Sequence, residues 1–188
     1  MDFIKGLPKS GGKEVIFVVV DRFRKYAHLM ALFHSYSAIT VAKDFVENVY
    51  KLHGMPSTIV SDRNNIFLSQ FWKELFKQQR VNLQYSTAYH PRFDGQTEVA
   101  NKCIKEYLKC MIGTIPTLWG KWLSSYEWWY NTNYHTSMRK TPYKIMYRVV
   151  PLIHIPYTPK DSSIEDIDQH LTQLEDILKL IISNLLQS

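Results

Sequence analysis

Three carboxylates, Asp2, Asp62 and Glu98, stand at positions from which an α/β protein can bring them together. Asp2 lies in an apolar opening segment that predicts a strand, and Asp62 directly follows the apolar segment 57–60. Glu98 lies in the first turn of a predicted helix that follows a loop. Carboxylates held close together repel one another unless a cation neutralises them, and their hard oxygens select Mg²⁺ or Mn²⁺. Because two such ions about 3.5–4 Å apart can assist phosphodiester chemistry, the three acids predict a two-metal site.

Each acid also has a simpler interpretation. Any one of them can be a solvated surface group, and Glu98 can pair with Lys102 one helical turn later. Asp21 is an alternative first ligand because it also ends an apolar run. The predicted opening hairpin would place Asp21 at the sheet edge opposite Asp62, whereas Asp2 can face Asp62 from a neighbouring strand. We therefore prefer Asp2.

The elements that would position these acids are strands and helices in alternation after an opening hairpin. The predicted strands span 1–4, 14–20, 26–32, 57–60 and 82–86. The predicted helices begin near Ser37 or Thr40, after Ser69, near Thr97 and near Leu118, and Gly54 ends the first of them. This order is typical of an α/β domain with a mixed sheet.

Apolar spacing within the predicted helices identifies candidate core residues. The candidates are Val41, Phe45, Val49 and Leu52 in the first helix, Phe71 and Leu75 in the second, and Trp122, Trp128 and Trp129 in the last. For the tryptophans we favour packing in the core over stacking on bases.

Charge is distributed unevenly along the 188 residues, which carry a net charge of +6. The segment 161–188 holds six acidic residues and one lysine, so residues 1–160 carry 22 basic and 11 acidic residues. A basic body fits a polyanionic partner such as nucleic acid, although a basic protein without such a partner has the same composition. Two cysteines exclude a disulfide scaffold. No apolar run approaches the ~20 residues of a membrane span, so we expect no membrane partner.

The C-terminal segment predicts an amphipathic helix that needs a partner surface. Its apolar positions repeat every three or four residues at Ile164, Ile167, Leu171, Leu174, Leu178, Ile181 and Leu185. Packing on the domain and self-association both satisfy this pattern. We expect a core domain at 1–150, a proline-rich linker at 151–162 and this helix at 163–188.

Several motifs connect the three acids to a known family. Between Asp62 and Glu98 lie 35 residues. The motifs are Met1-Asp2-Phe3-Ile4, Val18 to Phe23, Ser61-Asp62-Arg63, His90-Pro91, Asp94 to Glu98 and Trp128 to Asn133. Over residues 1–150 the sequence thereby resembles the integrase catalytic cores of retroviruses and LTR retrotransposons, in particular the Ty3/gypsy branch.

The resemblance implies a fold, a reaction and a set of partners. The fold is ribonuclease H-like, with a five-stranded mixed sheet flanked by helices, followed here by the C-terminal amphipathic helix. The reaction is processing of the element's 3′ DNA ends and transfer of those ends to target DNA, with Asp2, Asp62 and Glu98 as catalytic ligands of two Mg²⁺ or Mn²⁺ ions. The implied partners are both DNAs and further copies of the chain, in the nucleus.

The resemblance also supports a set of DNA-binding residues near Glu98. Lys102 and Lys105 follow Glu98 by four and seven positions and share its helix face. The residues of the preceding loop are Tyr89, His90, Arg92 and Gly95, where stacking, charge and a close backbone approach are available. Each of them also has an ordinary structural interpretation.

Two alternatives to an active integrase follow from the same sequence. Compared with the family pattern, the sequence begins inside the first catalytic strand and has no His/Cys zinc-binding domain, so we expect a truncated core. A catalytically inactive, nucleic-acid-binding remnant is the first alternative. A ribonuclease H-like nuclease without strand-joining activity is the second, and the Asp94–Glu98 and Trp128–Asn133 motifs argue against it.

Overall fold

The computed structural model describes residues 1–86, 102–103, 116–152 and 155–186. Its strands are β1 (Asp2–Ile4), β2 (Lys13–Val20), β3 (Ala27–Phe33), β4 (Thr58–Ser61) and β5 (Asn82–Tyr85). Its α-helices are α1 (Ala38–Phe45), α2 (Asn65–Leu68), α3 (Gln70–Gln78), α4 (Trp119–Thr132), α5 (Pro142–Tyr147) and α6 (Glu165–Leu186). A π-helical segment (Val46–Tyr50) and a last turn (Lys51–His53) continue α1, and a 3₁₀ turn (Pro116–Leu118) precedes α4. All five predicted strands are therefore present.

The strands form an antiparallel sheet and a parallel pair. β1, β2 and β3 pair in that order, and Asp2 lies opposite Val18 in the register. β4 and β5 pair in parallel, with Thr58 opposite Asn82. Both kinds of pairing are present, as a mixed sheet requires.

The prediction of one continuous five-stranded sheet is wrong for the residues that the structure describes. β1 has three residues, and the Met1 amino group donates one hydrogen bond to the Val60 carbonyl of β4 at 2.6 Å. One hydrogen bond does not make a ladder, so the strands divide into sheets of three and two.

A cavity of about 560 Å³ is lined by Met1, by the end of β2 and by the start of β4.

Side chains that alternate along β2 separate two apolar clusters on the opposite faces of its sheet, as the twofold period of a strand requires. Phe17 packs on one face with Phe45, Phe67 and Trp72. The other face carries Ile16 and Val18 with Trp119, Leu123 and Tyr126 of α4. Helices therefore cover both faces, in agreement with the predicted architecture.

Both of the first two predicted helices begin at their predicted caps. Ser37 and Thr40 form a reciprocal capping box, in which the Thr40 amide donates to Ser37 Oγ and the Ser37 amide donates to Thr40 Oγ1. The Ser69 hydroxyl accepts from the Trp72 amide at the start of α3. Gly54 ends the first helix with a φ of 73°, which favours glycine.

The apolar stripes of these helices are predicted only in part. Val41, Phe45 and Val49 are buried, but Leu52 is exposed, because the π-helical segment before it changes the angular spacing of the side chains. In α3 the predicted Phe71 is exposed, while Trp72 and Phe76 are buried.

The tryptophan-rich helix α4 also buries a different face from the predicted one. Trp119, Leu123, Tyr126 and Tyr130 are buried, whereas Trp122 and Trp129 are half-buried and Trp128 is exposed. The Trp119 indole donates to the Pro8 carbonyl at 2.6 Å, which fixes the start of α4 against the loop after β1.

Helix α6 contacts the linker and also the apolar cluster between β2 and α4, which we call the second cluster. Leu178 packs against this second cluster. The buried Glu175 accepts from the Tyr157 amide at 3.0 Å, and the Tyr157 hydroxyl donates to Asp168 at 2.7 Å. Of the other apolar positions predicted for α6, Leu171 is half-buried, and Ile164, Ile167 and Leu174 are exposed. The side chains of Ile181 and Leu185 lie outside the described part of the chain. None of the described helices has the length and the hydropathy needed to cross a bilayer.

Candidate active site

The segments that carry Asp2 and Asp62 lie side by side, although they belong to different sheets. Asp2 directly follows Met1, whose amino group bonds the Val60 carbonyl, and Asp62 comes two residues after Val60. An aromatic stack adds a second link between the two segments. The rings of Phe3 and Phe67 lie 5.0 Å apart at an angle of 12°. Both acids are half-buried, so the structure brings these two predicted ligands to one region.

Local hydrogen bonds orient each of the two carboxylates. Asp2 Oδ1 accepts from the Phe3 amide at 2.6 Å. Asp62 Oδ1 accepts from the Asn64 amide at 3.2 Å, and Asn64 in turn caps α2 by accepting from the Ile66 amide. The hydrogen-bonded turn between β4 and α2 therefore sets the backbone position of Asp62. A pair of carboxylates is the donor chemistry that a divalent cation needs, so the described part of the site fits Mg²⁺ or Mn²⁺.

The third predicted ligand, Glu98, lies outside the described residues, as do Lys105, Tyr89, His90, Arg92 and Gly95. Lys102 is described: it lies in a helical turn with Cys103, and both are exposed. Within the described ranges no group of three His, Cys, Asp or Glu side chains converges on a metal position. The structure thus locates two of the three predicted ligands.

Asp21, the alternative first ligand, serves a different purpose in the structure. Its carboxylate accepts from the Phe23 and Arg24 amides at 2.8 and 2.9 Å and forms an ion pair with the Arg24 guanidinium. Burial on its own raises the pKa of Asp21, but the hydrogen bonds from Arg24 and Phe23 outweigh it and hold that pKa below the ordinary value. Asp21 therefore stabilises the β2–β3 turn.

Sequence analysis did not predict a polar cluster beside the cavity. His28 Nε2 and His53 Nε2 are 2.8 Å apart, and His28 Nδ1 lies 3.3 Å from a Glu127 carboxylate oxygen. Burial and the neighbouring His28 lower the pKa of His53. The three residues come from β3, the end of the first helix and α4, so no sequence spacing connects them. The cluster connects the edge strand β3 to the first helix on one face of the sheet and to α4 on the other.

Relatives with similar sequences are transposon polyproteins. The chain is 37% identical over 153 residues, or 81% of its length, to the Transposon Tf2-3 and Tf2-4 polyproteins of Schizosaccharomyces pombe. It spans 12% of the length of each of these polyproteins. No protein-family model matches the chain.

Solved structures with a similar fold are integrase cores. The HTLV-2 integrase catalytic core domain in complex with magnesium (trimeric form) superposes with a TM-score of 0.61 at 20% identity, covering 78% of this chain and 94% of that one. A simian T-cell lymphotropic virus intasome in complex with PP2A regulatory subunit B56 gamma superposes with a TM-score of 0.64 at 19% identity. The match covers 87% of this chain and 59% of that one. The BIV integrase catalytic core domain superposes with a TM-score of 0.57 at 18% identity, and the match covers 78% of this chain and 93% of that one.

These comparisons, together with the strand arrangement, define the fold class of the protein. Its fold is the ribonuclease H-like α/β fold of integrase catalytic cores. The similarity to the Tf2 polyproteins then specifies the family. The chain belongs to the integrase catalytic cores of the Ty3/gypsy family of LTR retrotransposons.

Proposed function

We propose that this core carries out metal-dependent phosphoryl transfer on DNA, namely 3′-end processing and strand transfer during integration of a retrotransposon. The observation that carries the proposal is that the segments holding Asp2 and Asp62 lie side by side, linked by the Met1–Val60 hydrogen bond, although 60 positions separate the two acids in sequence. Family membership supports the same reaction, because integrase cores are polynucleotidyl transferases.

Different structural elements position the two described acids, Asp2 and Asp62. Asp2 and Asp62, with Glu98 as the third ligand, would hold two Mg²⁺ or Mn²⁺ ions. When bound, such ions neutralise the phosphate charge and activate the attacking oxygen. Asp2 takes its position from β1 and from the packing of Phe3, and Asp62 from the capped turn before α2. A related core is described in complex with magnesium, which supports the choice of ion.

DNA contacts, assembly and location complete the proposal. Lys102 is exposed on a helical turn, as a residue that meets phosphates must be. With Lys105 and the loop residues Tyr89, His90, Arg92 and Gly95, it would hold the DNA end near the acids. Related integrases are known as dimeric and trimeric core structures and as an intasome, which supports a homo-oligomer acting on element and target DNA. Such integration takes place in the nucleus.

A specific observation favours the inactive remnant as the second candidate. A single hydrogen bond, from the Met1 amino group to Val60, is the described backbone link between β1 and β4. A weakly anchored Asp2 would leave the metal site incomplete while the basic body still bound nucleic acid.

A metal titration and a strand-transfer assay separate the two candidates. Divalent metal that binds the folded state raises the melting temperature of the parent with increasing concentration. We expect Asp62→Asn to remove this increase and to abolish metal-dependent strand transfer while the domain stays folded. Asp44→Asn is the matched control: the pKa of Asp44 is raised by burial and by Glu47, and this residue lies on α1.

Three outcomes decide between the candidates. Equal strand transfer by Asp62→Asn and the parent removes Asp62 from the mechanism. Loss of activity in Asp44→Asn to the same degree shows that the assay reports general damage. A parent that neither joins strands nor gains stability from metal supports the remnant.

A further inference from the structure

The turn between β2 and β3 presents an exposed aromatic ring among three cations. Phe23 lies in this turn with 92% of its surface exposed, and Arg22, Arg24 and Lys25 surround it in sequence. We call residues 22–25 the basic-aromatic tip. Since Asp21 is the one carboxylate in the turn, the tip keeps a net positive charge.

Hydrogen bonds hold the tip in one conformation. Asp21 Oδ1 accepts from the amides of Phe23 and Arg24, and the Lys25 amide donates to the Asp21 carbonyl at 2.7 Å. The Lys25 ammonium donates to the Arg22 carbonyl at 2.8 Å. The backbone that carries Phe23 is thereby ordered, which reduces the conformational entropy of the turn that is lost when a ligand stacks on the exposed ring.

The tip lies on the same side of the sheet as the start of β1. Val18 pairs with Asp2, and Asp21 comes three residues later, a distance of about 10 Å along a strand. The cavity connects these places, because Met1 lines it together with Arg22 and Phe23.

The chemistry of the tip fits a nucleic acid. Every base has a face that stacks on an aromatic ring, and guanidinium groups bind phosphates. Arg24 gives one Nη1 donor to Asp21, while a guanidinium has five donors in all. Burial and the charge of Arg22 lower the pKa of Lys25, so a phosphate placed here relieves repulsion among the cations. An apolar protein partner would instead have to desolvate these cations.

We propose that the basic-aromatic tip binds an unpaired nucleotide of a DNA strand, with a base stacked on Phe23 and adjacent phosphates held by Arg22 and Arg24. The proposal rests on the proposed function in one respect, the choice of DNA as substrate. An unpaired nucleotide is required because the faces of paired bases are covered within a duplex. The tip then adds a contact for single-stranded or frayed ends.

Equilibrium binding of a fluorescent oligothymidylate to the full chain tests the tip. We expect Phe23→Leu to weaken binding about five- to tenfold, which corresponds to ~1–1.4 kcal/mol of lost stacking. The dependence of affinity on salt stays unchanged, since no charge is removed. Arg22→Gln should instead make the slope of log affinity against log salt shallower by about 0.7. Phe23→Tyr keeps an aromatic face and retains binding.

Phe33→Leu is the matched control. Phe33 is 60% exposed and lies beside a cation, Lys13, at 5.4 Å, but at the far end of the same hairpin. We expect this variant to bind like the parent. The proposal is overturned if Phe23→Leu binds the oligonucleotide as tightly as the parent does. It is also overturned if Phe33→Leu loses as much affinity as Phe23→Leu, or if the parent does not bind the oligonucleotide. Because Phe23 is exposed, its substitution leaves the melting temperature unchanged.

The failure of this proposal differs from the failure of the proposed function. Asp62→Asn should bind the oligonucleotide like the parent while losing strand transfer. A chain without strand-transfer activity whose oligonucleotide binding depends on Phe23 contradicts the proposed function and supports the tip. A chain that joins strands equally well with and without Phe23, and binds DNA equally in both forms, contradicts the tip alone.

Discussion

Replacing Asn131 with alanine should destabilise the fold far more than the same change at Asn133, which directly follows the last residue of α4. Asn131 is 1% exposed and connects α4 to the start of β3. Its Oδ1 accepts from the Ala27 amide at 2.8 Å, and its Nδ2 donates to the Ala27 carbonyl at 2.8 Å. One side-chain amide thus satisfies both backbone groups of a buried residue, as a neighbouring strand would.

The expected magnitude follows from the two groups that lose their partners. An unsatisfied buried donor or acceptor costs about 1–3 kcal/mol. Because two groups lose their partners, Asn131→Ala should lower the free energy of unfolding by about 2–6 kcal/mol. That is a large part of the roughly 5–15 kcal/mol that stabilises a typical domain. Asn131→Asp keeps the acceptor for the Ala27 amide and loses the donor to the carbonyl, so it should also destabilise the domain at neutral pH.

Urea unfolding followed by tryptophan fluorescence measures the effect. The midpoint should fall with an unchanged slope, because the surface exposed on unfolding stays nearly the same. Asn133→Ala is the control: the buried Asn133 Nδ2 has no hydrogen-bond partner among the described residues, so its removal should change stability by less than about 0.5 kcal/mol. An Asn131→Ala variant within about 0.5 kcal/mol of the parent refutes this account of how α4 is attached.

Two further predictions concern pH and the C-terminal helix. Burial and His28 hold the pKa of His53 below its ordinary value of 6.5, so the folded state resists a proton that the unfolded chain accepts. The free energy of unfolding should therefore fall as the pH drops below about 6.5, and His53→Gln should flatten this decline in denaturation curves recorded between about pH 5 and 7.5; an unchanged pH slope would contradict the assignment. Leu178→Ala should lower the free energy of unfolding by about 1–2 kcal/mol, less than for a fully buried leucine, because Leu178 contacts the second cluster. Leu174→Ala, at an exposed position of the same helix, should change it by less than about 0.5 kcal/mol, and equal effects would exclude packing through Leu178.

The parts of the fold that depend on local chemistry were predictable from the sequence. The β-branched run before Val20 predicts β2, and the hydroxyls of Ser37 and Ser69 predict where two helices begin. These signals succeed because alternation and capping involve residues only a few positions apart. The a/d pattern of the tail likewise predicts a long helix, observed as Glu165–Leu186.

Features that depend on tertiary context were not predictable. Leu52 fits an ideal stripe, yet a π-helical segment turns it away from the core, and no residue type in that segment announces the change. Trp128 belongs to a motif dense in aromatics, but the start of α4 is set by the hydrogen bond from Trp119 to Pro8, more than a hundred residues away in sequence. The outward position of Phe23 likewise depends on hydrogen bonds to Asp21 that are visible only in the folded turn.

The proposed active site depends on an interaction between two sheets rather than within one. Asp2 belongs to the antiparallel sheet and Asp62 follows a strand of the parallel pair, so backbone ladders alone do not fix the distance between them. The link comes from the residues beside them: Phe3, adjacent to Asp2, stacks on Phe67, five residues after Asp62. Phe67 is fully buried, and its ring centroid lies 6.2 Å from that of Phe17 in β2. Separating the backbone segments that carry the two acids would therefore open the core. The hydrophobic packing beneath the two segments therefore supplies rigidity that the proposed metal site would need, where the hydrogen bonding between β1 and β4 is sparse.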